Sequence, residues 1–197
     1  RRHLDADAAA ALVAMSAAAT PAEVVAFWFD PAHEALWFEK SDAFDAACIA
    51  ALMPAHERAM AGSLDGWCAS AEGTLALCIL LDQLPRNAFR GQARAFASDP
   101  RARAVARHAL ASGFDLALPL KQRRFLYLPF EHSEDLGEQV LSEALFQTLD
   151  SAESTLYARR HREIIERFGR FPHRNAALGR SSTAAEVAFL TEPMSSF

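Results

Sequence analysis

The chain has 197 residues and a formal net charge of −5, which fits one domain and removes the general electrostatic attraction for DNA or RNA. Its 42 alanines stand against only 10 valines and isoleucines together, which favours helices over strands. The longest strongly apolar run, residues 75–81, is far shorter than the roughly 20 residues that a membrane span needs. We therefore expect an all-α protein without a membrane or nucleic-acid partner.

The cysteines favour a cytoplasmic location. There are three, Cys48, Cys68 and Cys78, and none belongs to a C-x-x-C pair. An odd number without that spacing argues against a disulfide framework and against a cysteine zinc site, and it suits a reducing compartment.

The first 19 residues are rich in alanine and begin with two arginines and a histidine. Asp5 and Asp7 interrupt this basic start, and alanine makes a weakly hydrophobic segment, so we do not expect a secretory signal. We predict that residues 1–19 form a loosely attached helical extension and that residues 20–197 form a single all-helical domain.

Helix start signals recur along the rest of the chain. Thr20-Pro21-Ala22-Glu23 is a capping box with proline at the first helical position, which predicts a helix to about Asp30. A second helix is predicted after Ser41-Asp42. A third, over residues 75–84, is apolar on all sides and is therefore expected at the centre of the protein.

Five further helix starts follow in the second half of the chain. In chain order they lie at Ser98-Asp99-Pro100, residue 120, Ser133-Glu134-Asp135, Glu153 and Thr183. Together these signals predict about eight helices in antiparallel pairs. Short connections between such pairs favour a bundle or a helical-hairpin solenoid in the form of a right-handed superhelix, although the tetratricopeptide consensus is not readable at a 34-residue period.

The common chemical signatures are missing from the sequence. There is no phosphate loop, no G-x-G-x-x-G and no G-x-S-x-G. His33-Glu34 and His56-Glu57 begin like the zincin motif, but Trp37 and Met60 stand where the second histidine would be. The spacing therefore indicates no cofactor and no metal site.

Three polar clusters interrupt apolar surroundings, and the first ends the most hydrophobic predicted helix. It reads L-D-Q-L-P-R-N-A-F-R-G over residues 81–91. Asp82 is expected to be partly buried and to need a cationic or hydrogen-bonding partner, for which Arg86 is the local candidate. Arg86, Asn87 and Arg90 suit an anionic ligand, and they equally suit a salt-bridged corner that fixes a tight turn.

The second cluster reads P-F-E-H-S-E-D over residues 129–135. Glu131 and His132 suit acid–base chemistry, because a neighbouring carboxylate tunes the proton affinity of an imidazole. The alternative is that His132 hydrogen-bonds across a corner while Glu134 and Asp135 cap the next helix.

The third cluster reads F-G-R-F-P-H-R-N-A-A-L-G-R over residues 168–180. Arg170, His173 and Arg174 crowd positive charge into a short loop, which is costly unless carboxylates or an anion neutralise it. His161 in the preceding helix is predicted to face inward. The acids of the second cluster could supply the neutralising charge, which would join all three clusters into one network.

These segments together resemble the bacterial domain of unknown function 924. The resemblance also rests on V-V-A-F-W-F near the start, L-W-F at residues 36–38, Asp65-Gly66-Trp67 and S-S-T-A-A-E after the third cluster, and it covers residues 20–193. It implies an all-helical, tetratricopeptide-like superhelical fold, and it implies no established reaction, substrate or cofactor. The positions that match are Asp82, Gln83, Arg86, Asn87, Arg90, Glu131, His132, Ser133, Glu134, His161, Gly169, Arg170, Pro172, His173, Arg174, Asn175 and Arg180.

The sequence predicts a helical-repeat protein that binds an acidic small molecule or peptide in a polar groove, because helical-hairpin arrays commonly present a concave surface. Arg86, Arg170 and Arg174 are expected to hold the carboxylate. The candidate ligand-binding residues are Arg86, Asn87, Arg90, Glu131, His132, His161, Arg170, His173, Arg174 and Asn175.

Two alternatives stay open, and with them the question whether the protein is an enzyme. One is a hydrolase, with or without a metal ion, that uses Glu131 and His132 as acid and base. The other is an interaction scaffold whose polar motifs are purely structural locks. The scaffold would be favoured by an exposed cluster of Trp28, Trp37 or Trp67.

Overall fold

Helices account for the regular structure of residues 19–197, the part of the chain that the computed structural model describes, and no strand occurs there. The all-α prediction is confirmed, and residues 1–18 of the predicted extension lie outside the described residues. The α-helices are α1 (Pro21–Trp28), α2 (Pro31–Glu34), α3 (Asp42–Met60), α4 (Ala71–Cys78), α5 (Leu84–Ala88), α6 (Asp99–Ala111), α7 (Leu120–Glu131), α8 (Leu136–Gln147), α9 (Ala152–Phe168) and α10 (Ala184–Phe189). Within that range no helix combines the length and the apolar character that crossing a membrane requires.

Side chains cap most of the helices at the positions that the sequence indicates. Thr20 and Thr183 each form a complete capping box with the glutamate three residues later. Ser41, Ser70 and Asp135 each accept a hydrogen bond from a backbone N–H in the first turn of the helix that follows. These local signals explain why eight helices could be placed without knowledge of the tertiary structure.

The centre of the protein is one continuous helical element made of α4, a π-helical segment (Ile79–Gln83) and α5. Residues 75–84 are buried along this whole stretch. Helix α4 packs against α1, α6 and α7, while α3 packs against α5. An element that is covered on every side must be apolar on every side, which confirms the prediction of a central helix.

Proline explains the π-helical segment. Pro85 has no N–H to donate to the Leu81 carbonyl, and the N–H of Leu84 bonds to the Ile79 carbonyl instead of to Leu80. Three side chains donate hydrogen bonds to backbone carbonyls of this segment. His56 donates to Leu80 at 2.8 Å, Ser98 to Leu81 at 2.6 Å and Arg86 to Asp82 at 2.7 Å. Ser98 therefore bonds to this segment. Its side chain does not cap α6, although the sequence predicts a helix start at Ser98-Asp99-Pro100.

Consecutive helices are neighbours in the second half of the fold. Helix α6 packs against α7, α7 against α8 and α8 against α9. Gln139 in α8 is fully buried and donates to the carbonyls of Glu131 and Ser133, both at 2.6 Å. This amide satisfies backbone groups at the end of α7, so it fixes the corner where Glu131 and His132 lie. Whether the helices form a right-handed superhelix stays a prediction.

Candidate functional site

A cleft with a volume of about 630 Å³ opens between α5, the end of α7, α9 and the turn after α9. Its cationic and imidazole side chains are Arg86, Arg90, Arg124, His132, His161, His173 and Arg174. Its aromatic and apolar side chains are Trp37, Phe38, Phe96, Leu128, Tyr157 and Phe197. The three polar clusters of the sequence therefore meet at one concave surface.

Asp82 lies beneath this cleft at the centre of the polar network, and its exposed fraction is 0%. Its carboxylate accepts hydrogen bonds from His132 Nδ1 at 2.8 Å and from Gln83 Nε2 at 2.6 Å, and Arg86 Nη1 lies 3.3 Å away. Burial alone would raise the pKa of Asp82, but the positive charge of Arg86 and the hydrogen bonds from His132 and Gln83 together lower it by more than burial raises it. The pKa therefore lies well below its usual range. Asp82 is therefore ionised, and Arg86 is the partner that the sequence predicts.

Asp99 at the start of α6 faces two arginines. Arg86 donates to both of its oxygens, at 2.9 and 3.1 Å. Arg174 Nη1 lies 3.6 Å from the same carboxylate, which is too long for a hydrogen bond. One carboxylate thus has a bidentate bond to Arg86 and only a weak Coulombic contact with Arg174.

Arg174 is a buried guanidinium without a hydrogen-bonded partner among residues 19–197. Its side chain is only 7% exposed, and it lies between the rings of Phe96 and Phe171, at 4.6 and 4.5 Å from their centroids. Its Nε is buried and has no acceptor. Burial, assisted by the charge of Arg86, lowers the pKa of Arg174 to about 10, so it remains positively charged at neutral pH.

The three histidines of the cleft are neutral at pH 7. Burial lowers the pKa of His132 and of His161 below the usual range, and it lowers the pKa of His173 to about 3. The positive charge of Arg174 acts in the same direction on all three. The histidines therefore add no charge to the cleft at neutral pH.

Glu131 lines the cleft and has a raised pKa. Burial raises it to about 8, and the charge of Arg124 only partly opposes that effect. Its Oε1 atom is buried without a hydrogen-bond partner, and the Nδ1 atom of His161 is 3.8 Å away. Because His132 Nδ1 bonds to Asp82, Glu131 is not the carboxylate that orients His132, which differs from the acid–base pair of the hydrolase hypothesis.

Two of the ten candidate residues do not line the cleft. Arg170 donates to both oxygens of Glu186, at 2.6 and 2.8 Å, and thereby joins the turn after α9 to α10. Asn175 donates to the hydroxyl of Ser182 at 3.1 Å and accepts from Arg180 Nε at 2.9 Å. Both residues have hydrogen-bond partners outside the cleft, and neither contributes to its lining.

Asn87 and Arg90 line the cleft but already share a partner. Asn87 donates to Asp45 at 2.8 Å, and Arg90 donates to both oxygens of the same carboxylate at 2.5 and 2.9 Å. Asp45 belongs to α3, so these bonds join α3 to α5 and to the segment that follows it. The interpretation of this corner as a salt-bridged turn fits these two residues.

Glu134 does not cap the next helix, although its position in the sequence suggests that role. Asp135 caps α8, while Glu134 accepts from Arg180 at 2.7 and 2.9 Å and from the N–H of Phe171 at 2.8 Å. Acids of the second cluster do neutralise cations of the third, as the sequence indicates. The pair that does so is Glu134 with Arg180. It lies beside the cleft, and Arg174 is left without a hydrogen bond from its guanidinium to any described residue.

The Arg170–Glu186 pair predicts a specific loss of stability in acid. The hydrogen bonds from Arg170 and from the N–H of Thr183 lower the pKa of Glu186 to about 2 from a usual value of 4.5. A carboxyl with a lowered folded-state pKa contributes stability that is complete above the unfolded-state pKa and is lost as the pH falls towards the folded-state value. We expect the free energy of unfolding of the parent to exceed that of Glu186→Gln by a constant amount above pH 5, and by a shrinking amount towards pH 2. Urea denaturation of both chains across this range measures the difference; a difference that does not change with pH contradicts the assignment.

Some residues in and beneath the cleft carry no functional signal in the sequence. Arg124 and Trp37 line the cleft but come from segments without a polar cluster, and Asp99, which pairs with Arg86 beneath it, is predicted only as part of a helix start. Tyr157 could have been found, because it lies one helical turn before His161 and therefore on the same face of α9. Of the three tryptophans that the scaffold hypothesis names, Trp28 and Trp37 are buried and Trp67 is half-buried.

Comparison with known proteins agrees with this architecture. Residues 24–194 match the family described as bacterial protein of unknown function (DUF924). The structure is similar to that of the protein of unknown function ATU0120 from Agrobacterium tumefaciens, with 44% sequence identity, a TM-score of 0.84 and coverage of 87% of this chain and 96% of the other. No curated protein matches the chain. The match over residues 24–194 shows that the chain belongs to the DUF924 family.

Proposed function

We propose that this protein binds an organic carboxylate, as a small molecule or as part of a peptide, in the cleft between α5, α7 and α9. The observation that carries the proposal is Arg174. It is a buried cation that has no hydrogen-bonded acceptor among the described residues and lines the cleft. A buried donor without a partner costs stability, and a ligand carboxylate is the group that suits a planar guanidinium best.

The local charge balance supports an anion. Arg86, Arg124 and Arg174 contribute three positive charges to the cleft, whereas Asp82 and Asp99 beneath it contribute two negative ones. The histidines are neutral, and Glu131 with its pKa of about 8 is mostly protonated at pH 7. Glu34, Glu39 and Glu153 at the rim are partly exposed or exposed, so water and salt screen them. Arg124 and Arg174 have no hydrogen-bonded carboxylate among the described residues, and a bound carboxylate would supply one.

The aromatic side of the cleft indicates that the ligand also has an apolar or planar body. Trp37, Phe38 and Tyr157 line the same space as the arginines. Arg124 lies 4.4 Å from the centre of the Phe38 ring, which orients its guanidinium at this boundary. A volume of about 630 Å³ is within the range of pockets that bind small organic ligands. These features favour an amphipathic carboxylate over a bare inorganic anion.

A panel of paired compounds tests the proposal. Aliphatic and aromatic carboxylates are compared with their uncharged amides, by thermal unfolding and by calorimetric titration, in a buffer without phosphate or sulfate. We expect carboxylates with an apolar body to raise the unfolding midpoint and the amides not to, because only the acids can pair with Arg174.

Two variants control this experiment. Arg174→Met is expected to lose the response, while Arg101→Met, which removes an exposed arginine outside the cleft that pairs with Asp65, is expected to keep it. Equal responses to acids and amides, or a full response in Arg174→Met, contradict the proposal.

A further inference from the structure

We propose that Glu131, His132 and His161 form a site for one divalent transition-metal ion of the Zn²⁺ class. One ring nitrogen of each histidine and one carboxylate oxygen of Glu131 lie within 4.8 Å of one another. Ligands of a tetrahedral zinc ion at about 2.1 Å lie about 3.4 Å apart, so side-chain rotations have to bring the three atoms closer. The His161 ring is one that has to turn, because its Nδ1 atom is the nitrogen that lies 3.8 Å from Glu131 Oε1. This inference concerns a metal ion and stands independently of carboxylate binding.

Both histidines are oriented as metal-binding histidines are. The Nδ1 atom of His132 donates to the Asp82 carboxylate at 2.8 Å, and the Nδ1 atom of His161 donates to the Tyr157 carbonyl at 2.8 Å. A carboxylate and a backbone carbonyl are the usual outer partners of a metal-ligating histidine, because they fix the proton on one nitrogen and leave a lone pair on the other. In both rings the nitrogen left to bind a metal is Nε2. Neither Nε2 has a hydrogen-bond partner within residues 19–197.

Glu131 supplies an unpartnered oxygen at the same place. Its Oε1 atom is buried and accepts no hydrogen bond from any described residue. A native protein rarely leaves such an atom unsatisfied without a functional reason. The corner that holds Glu131 is rigid, because Gln139 bonds to the carbonyls of Glu131 and Ser133. The backbone that carries Glu131 is therefore held beside the two imidazoles, and a bound metal would displace the proton that this carboxyl holds at neutral pH.

The donor set selects the class of metal ion. Two imidazole nitrogens and one carboxylate oxygen suit Zn²⁺, Fe²⁺, Co²⁺ or Ni²⁺, whereas Mg²⁺ and Ca²⁺ prefer sites made of oxygen alone. Three protein ligands leave at least one coordination position for water or another molecule, and these residues line the cleft. The pattern differs from a closed structural site with four protein ligands.

The nearby arginines do not exclude a cation. Arg86 is paired with Asp82 and Asp99, and Arg174 lies 3.6 Å from Asp99. Two carboxylates therefore offset these two guanidinium groups, and Glu131, once it loses its proton to the metal, would offset Arg124, whose charge already acts on the Glu131 carboxyl. The sequence marks Glu131 and His132 as a polar pair but does not connect them to His161, because Glu131 ends α7 whereas His161 belongs to α9 and no spacing motif links the two helices.

Metal titration of the tag-free full chain, freed of metal with a chelating resin, tests the inference. We expect one Zn²⁺ per chain by calorimetry, and one Co²⁺ per chain with visible absorption bands that report nitrogen and oxygen ligands. Glu131→Gln and His161→Gln are each expected to weaken Zn²⁺ binding at least about 100-fold, since even outer-partner changes typically cost 10–100-fold.

His56→Gln is the matched control, because His56 is also buried and also bonds through Nδ1 to a backbone carbonyl, and it is expected to bind Zn²⁺ like the parent. Glu131→Gln keeps the shape of the side chain, so it decides the test even when His161→Gln does not fold. Less than one ion per chain, or unchanged affinity in Glu131→Gln, overturns the inference. Titrations without organic acids separate this result from carboxylate binding: zinc uptake without any response to carboxylates would leave this site standing and remove the proposed function.

Discussion

Replacing Asp82 by alanine is expected to lower the free energy of unfolding by roughly 3–5 kcal/mol, the usual cost of removing one partner from a buried ion pair. Asp82 has an exposed fraction of 0%, and its carboxylate accepts from His132 and Gln83 while Arg86 lies 3.3 Å away. Alanine removes the acceptor of two buried donors and leaves the charge of Arg86 with one carboxylate fewer. Urea denaturation followed by circular dichroism measures this loss.

Asp65→Ala is the matched control for that variant. Asp65 also pairs with an arginine, Arg101, but its side chain is 68% exposed. Exposed ion pairs typically contribute roughly 0–1 kcal/mol, so the free energy of unfolding of Asp65→Ala is expected to differ from that of the parent by no more than that amount. A loss in Asp82→Ala no larger than that in Asp65→Ala would show that the network beneath the cleft is not a buried one.

The helices could be predicted because their signals are local. A capping box such as Thr20 with Glu23 involves four consecutive residues, and the apolar character of residues 75–84 reports burial directly. The position of the π-helical segment was not predicted, although Pro85 is its local cause. A proline removes one donor, but the shift becomes stable only because Ser98 and His56, from other helices, bond to the released carbonyls.

The cleft could be predicted only in part, for a corresponding reason. The sequence marks the residues that are polar in apolar surroundings, such as Arg86, His132 and Arg174, but it does not say which charges meet. Arg170 and Arg174 look equivalent in the sequence. In the structure Glu186 takes the first and no acid forms a hydrogen bond with the second. That difference depends on the placement of α10, which is a tertiary property.

Arg86 and Arg174 share Asp99, yet their replacement by methionine is expected to have very different effects on stability. Arg86 donates two bonds to Asp99 and one to the Asp82 carbonyl, and it lies 3.3 Å from the Asp82 carboxylate. Arg86→Met removes the guanidinium partner of both buried carboxylates and is therefore expected to cost roughly 3–5 kcal/mol. Arg174 makes no such bond, and Asp99 keeps Arg86 when Arg174 is removed.

Arg174→Met is therefore expected to have a free energy of unfolding within about 1 kcal/mol of the parent, or above it. The methionine replaces a desolvated charge by an apolar side chain of similar length that packs between Phe96 and Phe171, although the cation–π contacts are lost. Calorimetry in a buffer free of phosphate and sulfate measures both variants. A loss in Arg174→Met as large as that in Arg86→Met would make Arg174 a structural ion-pair partner. An unchanged or higher stability indicates instead that a buried cation is kept at this position for a ligand, at the expense of the stability that methionine restores.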